Sequence, residues 1–203
     1  MDRLSEQDVK DALSPFHPRI SAIINRAYAE WLSMAECRVK NGYAPLLYPR
    51  TVTNNIFDAI AREAMAEFND DPNVRVVPES QTVKFCFSNE VIARFKKADE
   101  CNLGQNIPTQ AALDFADAQQ TLPGFPPEAV KVEFTWAAND IGTEIDRITV
   151  LARDHNSVLW SYEIIDEESD SGVILLPTPD DPDEDSGAPL VVVKRHDERS
   201  KSE

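Results

Sequence analysis

The chain has 203 residues, with 20 Lys+Arg against 36 Asp+Glu and a formal net charge of −16. That length suits one domain with an appendage, or two very small domains. An apolar content of 42% with 8% aromatics supplies a core and argues against wholesale disorder. The surplus negative charge disfavours nucleic-acid binding, which needs a cationic face to displace counterions.

The first residues are charged throughout and contain no apolar stretch of the signal-peptide kind. The longest apolar runs fall far short of the ~20 residues that span a bilayer. Cys37, Cys86 and Cys101 are too few and too widely spaced for a disulfide framework or a zinc knuckle. Reduced thiols and a cytoplasmic location are the expectation.

A short helix is predicted over 5–13, capped by Ser5 and stopped before Pro15. Pro18 opens a longer helix whose apolar stripe is Ile20, Ile23, Ile24, Ala27, Trp31, Met34 and Ala35. That helix is expected to stop at Asn41 and Gly42. Thr51 or Thr53 is the predicted cap of a third helix, with Ile56, Phe57, Ile60, Ala64 and Phe68 as its buried face. Pro72 follows its end, and 74–77 reads as a strand.

Period-two alternation then marks a hairpin. Val83, Phe85 and Phe87 alternate with Lys84 and Cys86; Val91, Ala93 and Phe95 alternate with Ile92, Arg94 and Lys96. The connection is Ser88-Asn89-Glu90. In the register that sets Phe87 against Val91, Lys84 faces Arg94, with Lys96 beside them. One face is therefore apolar and the other basic.

Thr109 is the predicted cap of a short helix carrying Ala112, Leu113 and Phe115, and 122–127 is a proline-rich connector. Three strands follow as a meander. Val130, Val132, Phe134 and Trp136 share a face of the first. The alternation slips between Ile145 and Ile148 in the second, which predicts a bulge. Val158, Trp160, Tyr162 and Ile164 mark the third.

The composition changes at Ile165. Residues 165–203 hold 12 acidic and 4 basic residues, half of the whole surplus, and four prolines. This segment reads as a disordered acidic tail. Within it Leu190, Val191, Val192 and Val193 form an apolar run suited to strand addition on a partner's sheet edge.

Together these elements predict an α+β domain over 1–164, with N-terminal helices packed on a mostly antiparallel sheet of five or six strands, followed by the flexible acidic tail 165–203.

No motif assigns an activity. His17, His155 and His196 stand outside any HExxH or GxSxG context. Gly42, Gly104, Gly124, Gly142, Gly172 and Gly187 never cluster, so neither a P-loop nor a Rossmann turn is present. No catalytic residue, metal ligand or cofactor is predicted. The nearest approach to a carboxylate site, of the kind metal-assisted chemistry would want, is Glu144 and Asp146 on one strand face, with Glu133 across from them; acidic residues on the wet face of a strand are usually there for solvation.

The basic face of Lys84, Arg94 and Lys96 is the candidate binding feature. Opposed like charges cost stability, so an anion, an acidic partner or the chain's own tail would relieve them. An ordinary sheet edge, where lysine blocks aggregation, is the alternative.

Several segments carry a resemblance: Ala93-Arg94-Phe95-Lys96-Lys97-Ala98-Asp99, Asn106-Ile107-Pro108-Thr109-Gln110-Ala111-Ala112-Leu113, Leu122-Pro123-Gly124-Phe125-Pro126 and Gly142-Thr143-Glu144-Ile145. They resemble a family of uncharacterised bacterial proteins encoded beside helix-turn-helix regulators or zinc-peptidase-like proteins, in an arrangement similar to toxin–antitoxin pairs. The resemblance covers roughly residues 49–164 and implies no catalytic residue.

The functional expectation is a non-enzymatic interaction protein, antitoxin-like or regulatory within a bacterial pair. It would bind a protein partner that is basic or has an open sheet edge, through the acidic tail with its run Leu190, Val191, Val192 and Val193, through the basic face of Lys84, Arg94 and Lys96, or through both. The alternatives are a metal-dependent enzyme acting on nucleic acid or a nucleotide, and an acidic mimic of nucleic acid.

Overall fold

The structure, a computed structural model, describes residues 5–165. The predicted tail from 166 onward, including Leu190 to Val193, lies outside the described residues.

Helix α1 (Glu6–Leu13) starts at Ser5, whose hydroxyl accepts the Asp8 N–H while the Asp8 carboxylate accepts the Ser5 N–H. This reciprocal cap satisfies two N–H groups that a helix start leaves open. A single 3₁₀ turn (Ser14–Phe16) leads into α2 (His17–Lys40). That helix ends where Gly42 adopts φ +69°, a left-handed conformation that glycine takes without steric cost.

Helix α3 (Pro49–Phe68) begins at neither expected threonine. Pro49 occupies its first turn, Tyr48 precedes it without a side-chain cap, and Thr51 and Thr53 lie inside. Proline has no N–H to satisfy and its φ already suits a helix, so it starts the helix without a polar cap. Phe57 is half-buried, and Ala59 takes its place on the inner face.

Six strands follow: β1 (Val74–Pro78), β2 (Val83–Phe87), β3 (Val91–Lys97), β4 (Val130–Ala138), β5 (Ile145–Asp154) and β6 (Ser157–Glu163). They lie in sequence order in one sheet. All neighbours are antiparallel except β3 and β4, which run parallel. A parallel neighbour needs a crossover, and residues 98–129, with α4 (Gln110–Ala116), supply it.

The hairpin has the expected register, with Phe87 opposite Val91 and Phe85 opposite Ala93. Ser88 and Asn89 both take positive φ, as a tight hairpin turn requires. The expected slip in β5 is a bulge: Ala137 pairs with Arg147 and Ala138 with Ile145, leaving Asp146 as the extra residue. A second shift, between Ala152 and Arg153, leaves Leu159 unopposed on β6 and turns Val158 outward.

The two faces of the sheet are covered differently. Helices α1–α3 pack on one face, burying Ile20, Ile24, Ile60 and Phe68 against Phe85, Phe87, Phe95 and Phe134. The crossover packs Phe115 and Leu122 on the other, against Cys86 and Ile92. No helix among the described residues is long and apolar enough to cross a membrane.

Candidate functional site

The crossover face carries the most developed polar arrangement. Alternation along β3 sends Arg94 and Lys96 to this face, and the parallel register sets Arg94 beside Glu133 of β4. Glu133 is fully buried and Arg94 is 3% exposed. The Glu133 Oε1 accepts from Arg94 Nη2 at 2.6 Å and Nε at 3.1 Å. Its Oε2 accepts from the Gly104 N–H at 3.1 Å and from Arg153 Nη1 at 3.3 Å. The Arg94 guanidinium also lies 4.0 Å from the centre of the Phe115 ring, a cation–π contact strengthened by the dry surroundings.

Lys84 is 7% exposed and donates to Glu79 Oε1 at 2.6 Å. Lys96 is half-buried. Among the described residues it has neither a hydrogen bond nor an ion pair. Burial, followed by repulsion from Arg94, pushes its ammonium down to about 8.

The basic face therefore exists, but it is not an open surface. Neither β2 nor β3 is an edge strand, so the expected alternative of lysines guarding a sheet edge fails. The opposed charges of Lys84 and Arg94 are relieved by internal carboxylates. Lys84 and Arg94 are covered, and of the three basic residues expected to bind only Lys96 remains partly open.

The three carboxylates do not form one site. Glu133 is the buried counter-ion just described. Glu144 is exposed and accepts from Asn139 Nδ2 at 3.2 Å in the β4–β5 turn. Asp146 is the exposed bulge residue and lines a cleft of about 390 Å³ with Ser21, Asn25 and Glu163. Leu151 is the residue opposite Glu133; Asp146, five positions away, lies about 17 Å along the strand.

His17 accepts or donates at 3.1 Å to the Tyr162 hydroxyl. Burial and the nearby Lys10 lower its affinity for a proton. At the β5–β6 turn, ligand atoms of Asp117, Asp154 and His155 lie within 4.8 Å of one another. Both carboxylates already accept backbone N–H groups, from Gln119 at 2.8 Å and Ala118 at 3.1 Å, and so brace the end of α4.

A second feature escaped the sequence reading. Buried positions of α2 end at Tyr28, and those of α3 begin at Ile56. The last turns of α2 leave Met34 and Val39 exposed, and the α2–α3 connection, which forms the tip, leaves Tyr43, Leu47 and Tyr48 exposed, Leu47 by 80%. Arg38 lies over the Tyr43 ring and Arg50 over the Tyr48 ring. The signal was present in the charge pattern. Between Glu36 and Asp58 there is no acidic residue, while Arg38, Lys40 and Arg50 are basic.

Comparison with known protein families, curated proteins and solved structures finds no match.

Proposed function

We propose that the chain is a non-enzymatic interaction protein that docks an acidic protein segment with apolar anchors on the tip of its α2–α3 hairpin. One observation carries this reading: between Met34 and Tyr48 five large apolar side chains are each exposed, beside Arg38 and Arg50 and a Lys40 paired with Glu36, on a strongly acidic chain. Tyrosine and arginine supply large contact area and directional donors, which enriches them at protein interfaces. A polyanion is a poorer fit than an acidic peptide. Three cations cannot replace the counterion atmosphere of a duplex, and a net charge of −16 repels an extended anionic surface.

The separation of Glu133, Glu144 and Asp146 supports an interaction protein over a carboxylate enzyme. The sharper form, a regulatory member of a bacterial pair, rests on the resemblance over residues 49–164. Acidic mimicry would draw much of its charge from residues outside the described ones.

The test compares the wild-type chain with Leu47→Asp and Tyr48→Asp, whose midpoints of unfolding should match the wild type. Each is used to capture partners from host lysate, and the captured protein is then titrated against purified chains. The expected result is an acidic partner whose binding falls at least tenfold in both variants. Equal binding by all three chains would overturn the tip as the docking site. Preferential binding of anionic vesicles or DNA by the wild type would overturn the choice of partner.

A further inference from the structure

Two cations, Arg94 and Arg153, bond one carboxylate, Glu133, on the crossover face, and a third, Lys96, shares that face two residues along β3 from Arg94. Lys84 and Glu79 form a pair of their own at 2.6 Å. Among the described residues, that leaves Glu133 as the carboxylate that Arg94 and Arg153 bond, with side-chain exposures of 4% for Arg94 and 11% for Arg153, and Glu79 acts on Arg94 only at longer range. Buried charges are ordinarily balanced. Here the local surplus is positive, on a chain whose overall surplus is strongly negative.

The arrangement is also held in place. Arg94 is fixed by two bonds to Glu133 and by the Phe115 ring. Arg153 is fixed by the His155 carbonyl at 2.7 Å and by Glu133 at 3.3 Å. Gly104 closes against both Lys96 and Glu133, at a point where a Cβ would lie less than 3.0 Å from atoms of each. The Lys96 ammonium has no hydrogen-bonding partner among the described residues. Lys96 is half-buried, so part of its side chain meets solvent.

We propose that Lys96, backed by Arg94 and Arg153, binds a small oxyanion of the phosphate type, free or as the terminal group of a phosphomonoester. Such a ligand brings the negative charge the cluster lacks. Lys96 offers it a donor that is not already engaged, and the two guanidiniums add attraction through a medium less polar than water. The depressed proton affinity of Lys96 has the same origin, since desolvation and Arg94 both disfavour its charged form. An anion reverses the second effect. This inference is independent of the hairpin tip, which lies on the helical side of the fold.

The test follows the midpoint of unfolding during titration with inorganic phosphate at constant ionic strength, with chloride as the control and glycerol phosphate as the monoester arm. The wild-type midpoint should rise with phosphate above the chloride control. Lys96→Met should show a higher midpoint than the wild type in chloride, because a repulsive charge is gone, and no response to phosphate. Response to glycerol phosphate as well as to phosphate identifies a monoester site; response to phosphate alone identifies the free ion. Lysine NMR of the wild type needs no variant: phosphate should move the titration midpoint of Lys96 upward. An equal phosphate response in both chains, or an unmoved Lys96 titration at saturating phosphate, would overturn the proposal.

Discussion

Gly104 donates its backbone N–H to the buried Oε2 of Glu133 at 3.1 Å, across 29 residues of sequence. The loop 99–106 is thereby drawn onto the sheet, and the approach leaves no room for a side chain. A Cβ at Gly104 would meet Glu133 and the Cβ of Lys96 inside van der Waals contact. Gly104→Ala should therefore destabilise the fold by about 1–3 kcal/mol, the usual cost of overpacking, measured by denaturant unfolding. Loss of less than about 0.5 kcal/mol, the range of neutral surface changes, would show that the loop is free to move away.

Glu133 and Arg94 should behave as a unit. Glu133→Leu leaves a buried guanidinium without its counter-ion, which costs roughly 3–5 kcal/mol. Combining it with Arg94→Met removes that orphaned charge, and the double variant should recover a large part of the loss. A double-mutant cycle checks this. Strict additivity would mean that Arg94 finds its partner elsewhere.

The helical side of the sheet is held by rings. Phe87 is fully buried, with ring centroids 4.9 Å from Phe16, 5.5 Å from Phe68 and 5.8 Å from Phe134. Phe87→Ala should cost about 3–5 kcal/mol, the range for a buried aromatic cut to alanine. A loss below 1 kcal/mol in equilibrium unfolding would contradict this packing.

His17 should make the fold sensitive to acid. Its burial, reinforced by Lys10, sets its proton affinity below the ordinary value of 6.5. The unfolded chain therefore takes up the proton first as pH falls. The contribution is fully present above about 6.5 and is lost as the pH drops through the lower folded value. His17→Gln keeps a polar atom near the Tyr162 hydroxyl without titrating. Its midpoint should fall less steeply than that of the wild type between neutral and mildly acidic pH. Parallel curves would assign the acid sensitivity to other groups.

Much of the fold was legible because its signals are local. Ser5 with Asp8, Gly42 after α2 and the Ser88–Asn89 turn each depend on a few adjacent residues. The alternation of 83–87 and 91–96 set the hairpin register, and the slip near Ile145 marked the Asp146 bulge. The start of α3 was misread because threonine is a common cap, whereas Pro49 needs none.

The candidate site was only half legible, and the reason is distance along the chain. Composition and alternation determined that Lys84, Arg94 and Lys96 share a face opposite the phenylalanines, whereas the acid-free stretch 37–57 stood in the sequence but was not read as a site. Whether the basic face met water depended on the parallel pairing of β3 with β4 and on the crossover that this pairing demands. Those contacts set Glu133 on Arg94 over 39 residues and bring Arg153 to the same carboxylate over 20. Side-chain alternation decides which way a charge points. Only the tertiary structure decides what lies above it, because burial and pairing arise from chain segments far apart in sequence and close in space.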